Sequence, residues 1–198
     1  MSHIVMILMM IGSIQSSMPQ AKTASLSVFS GIGMSAFDED AIGDWDQCGY
    51  IPIGVQFTYS ISPTFTFGAE AETTLRDFSW LSGSDEEHTI RNKVAVAEFG
   101  VFGKVYVSQD RISPYLRLGG AIYAGTMSVD TGEEEASLDL ETQPGFNLGG
   151  GLEYSATERV SLGLEGVYHI YSAEVSNLPT VTAGWNYWAI RMMAGLSL

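Results

Sequence analysis

The sequence predicts an all-β fold, an eight-stranded antiparallel up-and-down transmembrane β-barrel. Residues 50–61, Tyr-Ile-Pro-Ile-Gly-Val-Gln-Phe-Thr-Tyr-Ser-Ile, alternate bulky apolar groups with small or polar ones, and similar alternation returns in seven further segments. Successive side chains of a strand point to opposite faces, so each segment has one apolar and one polar face. The polar face carries Gln, Thr, Glu, Arg and Lys, and no helical segment of matching length could cover either side. A sheet closed on itself, apolar outside and polar inside, satisfies every backbone group in lipid. Short turns alternate with long connections along the chain, which is the third sign of a barrel of this kind.

The 198 residues suffice for one domain. Residues 1–24 read differently from the rest: Ile4–Ile11 is apolar without alternation, and a polar stretch with Pro19 follows. That resembles a secretory signal peptide, leaving residues 25–198 as the barrel domain. The apolar run is far below the ~18 residues a spanning helix needs, so insertion by helices is excluded. Strands are expected near 25–36, 50–62, 64–76, 93–108, 114–128, 143–155, 159–173 and 185–198. Tight turns fall at Ser62-Pro63, Gln109-Asp110-Arg111 and Thr157-Glu158, and long loops at 37–49, 77–92, 129–142 and 174–184. The 22 glycines, Gly149-Gly150-Gly151 among them, suit a narrow barrel where small side chains relieve crowding.

Faces follow from the parity of each strand. Ile51, Ile53, Val55, Phe57 and Tyr59 would face lipid in the second strand, Phe65, Phe67, Ala69 and Ala71 in the third, and Ala97, Phe99 and Val101 in the fourth. Leu116, Leu118, Ile122, Phe146, Leu148, Leu152, Leu162, Leu164, Ile190 and Met192 continue the band. Glu70, Glu72, Arg76, Glu98, Lys104, Arg117, Glu153, Glu165, His169 and Arg191 then face inward. A charge turned to lipid at midplane would cost about 2–4 kcal/mol, so the register is strongly specified. An eight-stranded lumen is just wide enough for side chains to fill, so these charges are expected to pair as a structural network rather than form an active site. A narrow conduit for small solutes is the alternative. Trp45, Trp80, Trp185 and Trp188 fall at one end of the strands or in adjoining loops, where an interfacial aromatic girdle belongs.

The net charge of −14 is concentrated in three connections. Asp38, Glu39, Asp40, Asp44 and Asp46 share one, Asp85, Glu86 and Glu87 a second, and Asp130, Glu133, Glu134, Glu135, Asp139 and Glu141 a third. This sign excludes nucleic acid as a partner. The ions such carboxylates take are Ca²⁺ and Mg²⁺, but the spacing does not match an EF-hand loop, and no cofactor is expected. Cys48 is the single cysteine, so no internal disulfide forms; it reads as a loop thiol.

Repeats of strand grammar such as Tyr50-Ile-Pro-Ile-Gly-Val-Gln-Phe-Thr-Tyr, Gly149-Gly-Gly-Leu-Glu-Tyr and Met193-Ala-Gly-Leu-Ser-Leu resemble the small Gram-negative outer-membrane barrel proteins. These are the OmpA-transmembrane, OmpX-like and opacity-type, porin-like group, and the likeness runs from about Ala24 to Leu198. It implies an outer-membrane location, contact with outer-membrane lipid and lipopolysaccharide, and assembly by the outer-membrane insertion machinery. That machinery reads a carboxy-terminal strand usually ending in an aromatic residue, where this chain has Leu198. With both termini in the periplasm, the acidic connections would lie outside the cell. His169 and Ser172 are the residue types of lipid A deacylase barrels, yet their spacing sends them to opposite faces. The expectation is therefore a non-enzymatic surface protein acting through its acidic loops on an extracellular partner of unknown identity. A lipid-modifying barrel enzyme is the minor alternative.

Overall fold

The computed structural model describes residues 23–37, 48–81, 89–108, 110–130, 135–174 and 182–198. The strands are β1 (Ala24–Phe37), β2 (Cys48–Ser62), β3 (Phe65–Leu81), β4 (Thr89–Tyr106), β5 (Ile112–Asp130), β6 (Glu135–Ser155), β7 (Val160–Glu174) and β8 (Thr182–Ser197). Each pairs antiparallel with its sequence neighbour, and β1 pairs with β8 from Ser25↔Ser197 to Phe37↔Trp185, closing the barrel. No helix among the described residues is long and apolar enough to cross a membrane, which says nothing against crossing by strands.

The outer surface is apolar, as the alternation requires. Ile51, Ile53, Val55, Phe57, Phe99, Val101, Leu116, Leu118, Phe146 and Met192 are all exposed there. Water would not tolerate so continuous an apolar belt, and lipid would. The same strands turn Gln56, Glu70, Glu98, Arg117, Asn147 and Arg191 inward, where all are buried.

The turns at one end are tight. Ser62 Oγ accepts from the Phe65 amide at 3.1 Å, and Thr157 Oγ1 accepts from the Arg159 and Val160 amides at 3.2 and 3.0 Å. At the other end three sequence expectations need correction. The expected loop 129–142 is largely strand: β6 starts at Glu135 and pairs back along β5 to Asp130↔Glu135. The expected loop 77–92 is likewise shortened, since β3 and β4 pair as far as Leu81↔Thr89. Asp130, Glu135, Asp139 and Glu141 thus sit on a β-hairpin, and Cys48 opens β2 instead of lying in a loop.

The physical reason for the longest miss is a β-bulge. The β5–β6 register shifts between Tyr123↔Gln143 and Gly125↔Leu140, so β6 carries one extra residue there. Inward parity changes from odd positions (Asn147, Gly145) to even ones (Leu140), and Glu141 and Thr142 are both exposed in succession. A single-phase search for alternation stops at that break.

Candidate functional site

The lumen is filled in layers. At the end bearing the long connections, Tyr50, Tyr123, Tyr171 and Tyr187 pack with Val94, Val96, Ala121, Leu140 and Ala189. Tyr123 stacks on Tyr171 at 4.2 Å between ring centroids, and Tyr187 stacks on His169 at 4.2 Å. These rings come from β2, β5, β7 and β8, so their convergence requires closure. They roof the layer beneath.

That layer is a belt of ionisable groups. Arg117, on β5, pairs with Glu70 on β3 and, at 3.0 Å, with Glu165 on β7. Arg191, on β8, lies 3.2 Å from Glu70 and 2.7 Å from Glu72. Lys104 Nζ stands 3.5 Å from Glu165 and donates to Gln56 Oε1 at 3.3 Å. Glu98 accepts from Asn147 Nδ2 at 3.2 Å and from the Tyr187 hydroxyl at 3.0 Å. Removing such charges from water is costly, and only dense pairing offsets it. Guanidinium faces also rest on rings, Arg117 4.1 Å from the Phe102 centroid and Arg191 4.7 Å from that of Phe29.

His169 sits at the top of the belt. A guanidinium can only donate, so Arg191 Nη2, 2.7 Å away, makes His169 Nε2 the acceptor. The ring proton then lies on Nδ1, which faces Glu98 Oε2 at 3.0 Å. Glu72, Glu98 and His169 bring ligand-type atoms within 4.8 Å of one another, the only such metal-competent group found among the described residues. Arg191 Nη2 stands 2.7 Å from both Glu72 and His169, so a guanidinium already supplies the positive charge that a metal ion would bring.

Below the belt, toward the tight turns, the lumen opens. A cavity of about 620 Å³ is lined by small hydroxyl side chains, among them Ser27, Thr58, Thr66 and Ser161, together with Lys104 and Glu153. Glu153 is only partly buried and accepts from the Tyr106 hydroxyl at 2.8 Å. The residues beside the mouth, Asp110, Glu158 and Ser197, belong to the turns and the end of β8.

The structure thus places Glu70, Glu72, Glu98, Lys104, Arg117, Glu165 and Arg191 in one belt, with Glu153 apart at the cavity. Arg76 is described by its backbone, opposite Tyr50 and Val94. Trp188 is exposed on the outer face opposite Tyr168, and Trp80 and Trp185 are strand positions opposite Ile90 and Phe37. Trp45, the signal-like segment 1–22 and the acidic residues at 38–46, 85–87 and 133–134 lie outside the described residues. His169 is fully buried beneath the tyrosine layer, while the side chain of Ser172 lies outside the description. Sequence reasoning missed the neutral members of the network. Asn147, Tyr115, Tyr123 and Tyr187 share the inward parity of their charged neighbours, which was the signal available.

No protein-family model matches the sequence, and no curated protein matches it. Solved structures do match in fold. Neisserial surface protein A aligns with a TM-score of 0.62 at 13% identity, covering 88% of this chain and 97% of that one. Ail, the attachment invasion locus protein of Yersinia pestis, solved with the heparin analogue sucrose octasulfate, aligns at 0.50 and 15% identity, covering 88% and 99%. At these identities the likeness is one of architecture: a closed eight-stranded barrel of the kind found in small outer-membrane proteins.

Proposed function

We propose that this chain is an outer-membrane protein of a Gram-negative bacterium, without enzymatic activity, whose barrel holds acidic connections out from the cell surface. The observation that carries this reading is the filled lumen. Ion pairs among Arg117, Arg191, Lys104 and the glutamates Glu70, Glu72 and Glu165 occupy its middle, and packed tyrosines roof it toward the long connections. A lumen closed in this way supports an anchoring role better than a conducting one. It also leaves His169 walled off from any substrate on the outer surface.

What remains available for contact is the loop end. Asp139 and Glu141 are exposed on the β5–β6 hairpin, and the other acidic clusters fall by sequence in the connections at that same end. Divalent cations there would bridge carboxylates to lipopolysaccharide phosphates. The fold likeness to surface proteins, including one solved with a sulfated polysaccharide analogue, supports surface interaction as the class of function.

Protease treatment of intact cells tests the topology, with planar-bilayer recording as its companion. Cleavage within 82–88 or 131–134 that leaves a protected barrel, and no conductance above background, are the expected results. Stable channels would favour the conduit reading, and fatty-acid release from lipid A would overturn the non-enzymatic one.

A further inference from the structure

The cavity beneath the belt has features that filling the barrel does not need. Its wall is built from Ser and Thr, although the same inward positions elsewhere in the lumen carry tyrosine, arginine and glutamate. Larger side chains at Ser27, Thr58 or Ser161 would close it, so its volume of about 620 Å³ follows from the choice of residues. The charged groups on its wall have opposite signs at different depths.

Lys104 marks the deep end. It is buried, and its ammonium is engaged by Gln56 at 3.3 Å and Glu165 at 3.5 Å while also lining the cavity. An ammonium has three N–H donors, and beyond those two oxygen acceptors its remaining contacts are the Tyr115 and Phe102 rings, 4.5 and 5.4 Å from their centroids, the weak partners that an entering carboxylate would displace. Glu153 marks the shallow end, with Oε2 accepting from Tyr106. Nearby Asp110 and Glu158 add negative charge at the mouth. The arginines that follow them are not part of the cavity wall. Arg111 lies over the Tyr154 ring at 5.1 Å, and Arg159 is exposed and absent from the cavity wall.

We propose that this cavity binds a small zwitterion of the short-peptide class, carboxylate inward at Lys104 and ammonium outward at Glu153, its backbone held by the Ser and Thr hydroxyls. The span sets the length. Arg117, paired with Lys104, and Ser113, paired with Glu153, lie on β5 about 13 Å apart along the strand. Both side chains line the cavity between those levels, and three extended residues reach about 10 Å. A tripeptide therefore fits the charge separation, whereas one amino acid is too short. This site is independent of the loops at the opposite end, so it stands or falls separately from the surface-contact reading.

The test is calorimetric titration of triglycine into the full chain folded in detergent micelles. Saturable one-to-one binding is expected, weakened at least tenfold by acetylating the amino end, by amidating the carboxyl end, or by Glu153→Gln. Glu153 lies at the rim, so that variant keeps the belt intact. Ser27→Phe, which fills the cavity without changing charge, is expected to abolish binding while gel mobility without boiling still reports a folded barrel. The proposal is overturned by absence of saturable binding, by equal affinity for the doubly blocked peptide or for butylammonium alone, or by unchanged binding in both variants.

Discussion

Arg191 is the residue on which the belt depends. Its guanidinium reaches Glu70, Glu72 and His169, and it is fully buried. Replacing it with Met would leave Glu70 and Glu72 short of positive charge inside the barrel. Removing one partner of a buried pair costs about 3–5 kcal/mol, so Arg191→Met should lower unfolding stability by that order in urea titrations of the lipid-inserted protein. Parity alone made Arg191 and its glutamates legible as inward groups. Their partnership was not legible, because Arg191 and Glu70 are 121 residues apart and meet only across the closed lumen. Gly151 shows the same limit. A Cβ there would lie 2.7 Å from the Tyr115 hydroxyl, which donates to Glu165. The sequence offers a reason for small residues in a narrow barrel, while the specific neighbour comes from packing.

Among the elements, β6 departs furthest from its expected bounds, starting at Glu135 instead of 143. The bulge near Thr142 is the cause, and it supports a paired deletion experiment. Removing Thr142 takes out the extra residue, leaving a regular ladder in which Leu140 still faces the tyrosine layer. Removing Leu148 instead shifts neighbouring positions by one, turning Asn147 toward lipid and Phe146 toward the lumen. A one-residue slip exchanges faces, so the first deletion should fold in detergent or lipid, as read by gel mobility without boiling, and the second should not. The extended hairpin also relocates the acidic charge. Asp139 and Glu141 are fixed on strands, which hold them at a defined height above the barrel better than a free loop would.

For the whole molecule, closure of β1 on β8 leaves no unpaired edge between Ser25 and Phe37. A barrel closed in this way should resist detergent, migrating anomalously on gels until boiled. Shortening the β5–β6 hairpin from its tip should preserve that mobility while reducing attachment to lipopolysaccharide-coated surfaces in the presence of Ca²⁺. Equal attachment after shortening would mean that this hairpin does not make the contact. The sequence by itself determined the eight strands, the face each turns outward and the polar character of the lumen. Those properties are written residue by residue in a period of two, which needs no knowledge of distant neighbours. Only the tertiary structure decided which charges pair, that tyrosines from four strands roof them, and that small hydroxyl side chains leave a cavity at the opposite mouth. Each of these depends on residues far apart in the chain, brought face to face when the sheet curls round and its first strand meets its last.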